Sequence, residues 1–283
     1  MERQFDKNRI KLNDDSRLWG RKMDETVIDF LCVLQTHSLS NSQKDITRYG
    51  CTDKAEIVKR CTRSLVKSMN YAASIMPHVN FRLQVYDDHS DDKCIETLKQ
   101  TLSTAKFETN LDHLETRGIM PSILKCYEHG YAYGKDLVYY AQDDYLFTES
   151  AIWEMIEEFL DASGKLGRWC CIYPFDDPWR YVHWNIVPVE IVLGKKRHWR
   201  RNYKTASCFM THIDVIRKQW DLFEAMGKHK VNGEMEDNTI NKLFSERGYT
   251  LLTPIPSLAL HFQSDIEKDP YIDWKSWWDK HAD

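Results

Sequence analysis

The sequence predicts an α/β fold with a mixed, mainly parallel central sheet flanked by helices. Three observations predict it. Short apolar runs alternate with helix-period stretches from residue 27 onward, in the order β-α-β-α-β-α-β-α, which calls for right-handed crossovers and a doubly wound, Rossmann-like sheet. The run Leu137-Val138-Tyr139-Tyr140-Ala141 is β-branched, aromatic and nearly continuously apolar, as a strand covered on both faces should be. Two of the strands run into an Asp-Asp pair, Asp87-Asp88 and Asp143-Asp144. Both pairs then lie on the carboxyl edge of one sheet, where open α/β sheets bind ligands.

Taken in order, residues 1–24 form an arm without strong periodicity. Val27 to Leu34 is the first strand, ending at Gln35-Thr36-His37-Ser38. A helix is expected from about Thr52 to Ile75, capped by Thr52 or Asp53, with Ile57, Cys61, Leu65 and Met69 as an i, i+4 stripe. Phe81 to Tyr86 is the second strand, and a helix from about Asp92 to Leu102 follows a cap at Ser90 or Asp91. Phe107 to Leu111 suits a short third strand, and Pro121 suits the first turn of a helix running to about Gly134. After the central strand, Thr148 caps a helix from about Glu149 to Ala162, whose first acid suits the positive helix end. Further helices are expected over Ile213 to Met226 and Asp237 to Arg247, and a last strand over Thr250 to Leu260 ends at His261. The main domain thus spans 25–265, in an N-terminal half over 25–147 and a C-terminal half over 148–265. A Trp-rich tail covers 266–283. In it Trp274, Trp277 and Trp278 share one helix face, to pack on the domain or on a second subunit in a homodimer.

Composition narrows the class. A net charge of -4 over 283 residues gives no reason to expect general nucleic-acid binding. No stretch of about 18 apolar residues is present, so no transmembrane segment is expected. The polar N-terminus lacks a secretory apolar region. The eight cysteines make no CxxC pair and are read as reduced, mostly buried thiols. This reading places the protein in the cytoplasm and leaves peripheral membrane contact open.

The chemistry starts at Asp143-Asp144. Adjacent carboxylates repel and call for a cation or a proton. A hard divalent ion is the natural partner, because Mg²⁺ is usually held by one or two carboxylates plus substrate phosphates. A solvated turn carrying two acids is the bland alternative. Arg60 and Arg63 lie three apart on the first helix, where they could reach phosphate or simply face water. The basic stretch Lys195 to Arg201 is either a lid over a diphosphate or a solvated turn. Trp179, Trp184 and Trp199 are either sugar platforms or core.

Four landmarks together resemble a nucleotide-sugar-dependent glycosyltransferase of the GT-A fold, closest in layout to family 2. VYDDHS at Val85 to Ser90 resembles the strand-Asp-Asp-x-Ser nucleotide loop. YAQDDY at Tyr140 to Tyr145 resembles the DxD-type metal motif, with Gln142 where a first Asp is common. GEMEDN at Gly233 to Asn238 resembles the acidic pair on the acceptor side, and LALHFQ at Leu258 to Gln263 the late metal-site His. The resemblance covers roughly residues 25 to 265. It implies transfer of a sugar from a UDP-, GDP- or dTDP-sugar donor to a hydroxyl of a carbohydrate, lipid-linked or small-molecule acceptor, with inversion as the leading reading and retention left open, because retaining enzymes share the same sheet and metal motif. It implies a divalent cation, Mn²⁺ or Mg²⁺, held by Asp144 and His261. It implies donor contacts from Thr36, Asp88, Gln142, Asp143 and Arg63, and an acceptor base from Asp237 with Glu236 beside it. Two alternatives stay open. A sugar-phosphate nucleotidyltransferase shares this type of sheet, although Gln35-Thr36-His37-Ser38 is no Gly-rich phosphate loop. A carbohydrate- or nucleotide-binding protein without turnover is the other.

Overall fold

The computed structural model describes residues 27–39, 51, 53–177, 189–232, 234–262 and 270–282. The N-terminal arm, Trp179, Trp184 and Gly233 lie outside the described residues. The first half follows the expected alternation: β1 (Ile28–Thr36), α1 (Lys54–Ile75), β2 (Val79–Asp87), α2 (Asp92–Leu102), β3 (Glu108–His113), α3 (Ile119–Tyr133), β4 (Leu137–Gln142), β5 (Tyr145–Phe147) and α4 (Ala151–Leu166). The second half holds β6 (Cys171–Ile172), β7 (Ile191–Leu193), β8 (His198–Asn202), β9 (Phe209–His212), α5 (Ile213–Lys218), α6 (Trp220–Lys228), α7 (Lys242–Ser245), β10 (Leu251–Ile255), β11 (Ala259–His261) and α8 (Trp274–Asp279).

Among the described residues, nine strands form one sheet in the order β3-β2-β1-β4-β9-β6-β10-β8-β7. Only β8 and β9 oppose the common direction, so the sheet is mixed and mainly parallel, as the strand pattern predicts. The order reverses at β1, where β2 and β4 flank it, which makes the crevice above β1 the topological switch point. This is a GT-A-like, Rossmann-like α/β architecture. β1 and β4 are buried almost throughout, because helices cover both faces of the parallel strands. All eight cysteines are free thiols, and all but Cys51 are buried. No helix among the described residues is long and apolar enough to cross a membrane.

Side-chain chemistry sets several boundaries. Asp53 and Asp91 cap α1 and α2 by accepting the N–H groups of Ala55 and Cys94. Thr148 does not cap α4. Its amide and hydroxyl both donate to Leu258 O, and Ser150 takes the N-cap position. The helix expected over Ile213 to Met226 is broken at Gln219 into α5 and α6. The helix expected over Asp237 to Arg247 shrinks to α7. Ile240, Leu243 and Phe244 are buried as its pattern demands, but the preceding residues form turns. There Thr239 Oγ1 donates to Met235 O and Asn241 Nδ2 donates to Asp237, so short polar side chains compete with the helix ladder. The last strand is two. A cis Ile255-Pro256 bond separates β10 from β11, which leaves the main sheet and pairs antiparallel with β5.

The basic stretch forms the β7–β8 turn and packs on α4. Arg197 makes a two-pronged ion pair with Glu154, at 2.7 and 2.9 Å, Lys195 reaches Glu157 at 3.2 Å, and Lys196 lies over the Trp153 ring. Trp199 is core, only 1% exposed.

Candidate functional site

Registers bring Thr36, Gln142 and the two Asp-Asp loops to one edge. Gln35 pairs with Gln142, Thr36 with Asp87, and Asp87 with His113, so the loops after β1, β2, β3 and β4 leave the sheet side by side. Thr36 and Asp88 meet there: Thr36 Oγ1 donates to Asp87 Oδ1 at 2.9 Å, and Asp88 N donates to Thr36 O at 2.8 Å. Asp88 Oδ2 accepts from Gly118 N at 2.8 Å and Ser122 Oγ at 3.0 Å, fixing the start of α3, and its Oδ1 meets His89 Nδ1. Burial alone pushes the Asp88 carboxyl up, but the hydrogen bonds from His89, Gly118 and Ser122 outweigh it and hold it below its usual value. The His37 ring contacts Asp88 O, which ties the β1 loop to the β2 loop.

The two acids after β4 have different surroundings. Asp143 is buried; its Oδ1 pairs with Lys54 Nζ at 2.5 Å and its Oδ2 accepts from His37 N at 2.7 Å. Burial raises its pKa; Lys54 opposes that rise and Asp144 adds to it. Asp144 turns the other way, with Oδ2 3.6 Å from His261 Nε2. The backbone explains this convergence. β5 and β11 pair His261 with Tyr145, and Phe262 N donates to Asp144 O at 2.8 Å, so the late histidine is clamped to the acid loop. The imidazole stacks on Tyr145, with centroids 4.4 Å apart and planes 10° apart, which fixes its orientation. Carboxylate oxygen and imidazole nitrogen together suit Mn²⁺ and, through the oxygen, Mg²⁺. Among the described residues no group of three or more His, Cys, Asp or Glu side chains is arranged to hold a metal. Two protein donors nevertheless fit an ion whose remaining ligands are substrate phosphates.

Glu236 is half-buried, and burial raises its pKa, with Asp237 adding to the rise and His261 opposing it. Asp237 is 42% exposed at its side chain, is ion-paired with Lys204, and accepts from Asn241 Nδ2 at 2.9 Å. Gln142 stands at the end of β4 beside Gln35, and with Tyr127, Tyr140 and Ser207 it lines a small cleft under the edge. Arg63 is not at this edge. Its Nη1 donates to Ala282 O at 2.8 Å, and Arg60 donates to Trp278 O at 3.0 Å, so both arginines bind the carbonyl end of α8. Both side chains are half-buried against the tail rather than fully solvated.

Sequence reasoning missed Lys54 and the His37 amide. Lys54 carried a usable signal: a lysine in the first helical turn opposes the positive helix end and needs a nearby acid.

No protein-family model matches this chain, and no curated protein matches it. Solved structures do. A crystal structure of S. aureus TarS (residues 1–349) is similar at 12% identity and TM-score 0.46, over 82% of this chain and 59% of that one. GalNAc-T7 with UDP, GalNAc and Mn²⁺ is similar at 12% identity and TM-score 0.49, over 87% and 46%. An apo UDP-glucose pyrophosphorylase is similar at 8% identity and TM-score 0.47, over 90% and 97%. The chain therefore spans less than two thirds of the length of TarS and GalNAc-T7 that it is matched to. At these TM-scores the likeness is loose, and the fold stands on the strand order and registers of the chain's own sheet. That fold fits glycosyltransferases and nucleotidyltransferases alike.

Proposed function

We propose that this chain is a nucleotide-sugar-dependent glycosyltransferase that transfers to an acceptor hydroxyl with inversion and with the help of a divalent cation. The observation that supports it most is the meeting of Asp144 with His261 at 3.6 Å, on the same edge as Thr36, Asp87 and Asp88. Residues this distant in sequence come together only because β11 leaves the main sheet to pair with β5.

In this reading Asp144 and His261 hold Mn²⁺ or Mg²⁺, which when bound compensates the negative charge building on the departing diphosphate. Thr36, Asp88, Gln142 and Asp143 border the nucleotide, with Thr36 and Asp88 fixed by their own hydrogen bonds and Asp143 by Lys54. Asp237 takes the acceptor's proton as the acceptor oxygen bonds to C1. The bond from C1 to the diphosphate oxygen breaks at the same time, and the nucleoside diphosphate leaves. Asp237 suits the acceptor side because its side chain is exposed and ion-paired with Lys204, whereas the neighbouring Glu236 is half-buried.

The test is incubation with UDP-, GDP- and dTDP-sugars and Mn²⁺. Slow release of a nucleoside diphosphate is expected, lost in excess chelator and in Asp144→Ala. Pyrophosphate-dependent release of a nucleoside triphosphate would instead make the chain a nucleotidyltransferase. Binding without turnover, across all donors and acceptors tried, would make it a binding protein.

A further inference from the structure

Asp143 and Asp144 are adjacent in sequence yet differ in their surroundings, and Lys54 is the cause. It is the first residue of α1, its side chain is 12% exposed, and its amine lies 2.5 Å from Asp143 Oδ1. The second oxygen of Asp143 accepts the His37 amide at 2.7 Å. These two bonds come from opposite ends of the β1–α1 connection, so the carboxylate is held from both. Asp144, one residue on, faces His261 instead.

Resting on the glycosyltransferase reading, we propose that Lys54 is a positioning residue that withholds Asp143 from the divalent cation. A dication and an ammonium on one carboxylate repel strongly in a site this buried. Lys54 therefore confines the protein's share of the coordination to Asp144 and His261. Two adjacent carboxylates would otherwise both be available, and each added charged ligand tightens a hard cation. With Asp143 withheld, the free protein binds the ion weakly, and the substrate diphosphate supplies the missing charge. The cation then arrives and leaves with the nucleotide rather than residing permanently.

The experiment measures Mn²⁺ affinity of the full chain by titration calorimetry and by the loss of the free-Mn²⁺ EPR signal, with Mn²⁺ alone and with UDP. Lys54→Met should bind Mn²⁺ alone about tenfold more tightly than wild type, because Asp143 joins Asp144 as a ligand. The double variant Lys54→Met/Asp143→Asn should return to the wild-type value. Asp143→Asn alone should stay within about twofold of wild type. A lysine that served only packing would give weaker binding when removed, not tighter. The proposal is overturned if folded Lys54→Met binds Mn²⁺ no more tightly than wild type. It is equally overturned if Asp143→Asn alone weakens Mn²⁺ binding about tenfold, which decides the matter should Lys54→Met not fold. The glycosyltransferase reading fails separately, if the wild type binds Mn²⁺ with UDP but releases no nucleoside diphosphate from any donor.

Discussion

Glu236 and Asp237 are neighbours with different environments, and that difference assigns each an effect. Asp237→Asn keeps the size and can still meet Asn241, but it removes the proton acceptor. Transfer should fall by about two to four orders of magnitude with donor affinity little changed. Glu236→Gln should be milder, and steady-state kinetics on both variants check the order. The reverse order would make Glu236 the base. Another acid, away from the Asp144–His261 edge, bears on stability. Glu158 on α4 is 3% exposed beneath the β7–β8 turn, where a Cβ on Gly194 would collide with its Oε2. Burial, then the nearby Asp161, raises its pKa to about 7 from an ordinary 4.5. Between those two values the folded protein holds a proton that the unfolded chain has released. Stability contributed at this residue is therefore full below about pH 4.5 and is lost as pH rises to about 7. Glu158→Gln should stabilise the protein at pH 8 by roughly 1–3 kcal/mol and change little at pH 5. Urea unfolding at both values checks this, and an equal effect at both would remove the argument.

α1 shows how one element organises its surroundings. Ile57, Cys61, Leu65 and Met69 pack inward as their spacing predicts. The same helix uses two buried serines to complete backbone that the main sheet does not reach. Ser64 Oγ accepts from Phe147 N at 2.9 Å, and Ser68 Oγ accepts from Ile152 N at 3.0 Å, which seats β5 and the start of α4. Its outer arginines hold α8. Trp278 packs on Phe262 with centroids 4.8 Å apart and lies under the Arg60 guanidinium at 4.3 Å, while Trp277 Nε1 donates to Phe147 O. The tail thus backs the segment that carries His261, an arrangement the tryptophan spacing alone did not locate. Trp278→Ala should cost about 3 kcal/mol, since it empties a core-like position. Arg60→Met, which keeps the aliphatic stem, should cost less. An unchanged unfolding midpoint in Trp278→Ala would mean that the tail is not docked in solution.

Across the whole molecule, legibility tracked the length of each strand and whether its pairing follows from the α/β alternation. β1, β2 and β4 announce themselves by strand-length apolar patterns, and parallel pairing puts their ends on one edge without further information. β6 and β9 are two and four residues long and pair with segments far away in sequence, and β7 is a three-residue hairpin arm, so no local periodicity encodes them. β11 is the clearest case. Its residues read as the continuation of β10, yet Pro256 cannot donate to a ladder, and the chain turns away to meet β5. The His261–Asp144 contact was legible only through the order of motifs, because its cause is that detour. Burial divides the sheet in the same way. β1 and β4 sit at its centre, whereas β7 is an edge strand with Ile191 52% and Leu193 71% exposed. Opening free energies should rise from that edge toward the centre, since edge amides need break few apolar contacts to meet water. Hydrogen exchange followed by mass spectrometry should therefore find peptides over 28–36 and 137–142 exchanging only through global unfolding. Peptides over 190–202 should exchange at least about tenfold faster through local opening. Adding UDP with Mn²⁺ should slow exchange at 142–147 and 258–262 together, because β5 and β11 carry the two sides of one contact. Protection of one segment without the other would mean that Asp144 and His261 do not act on the same ligand.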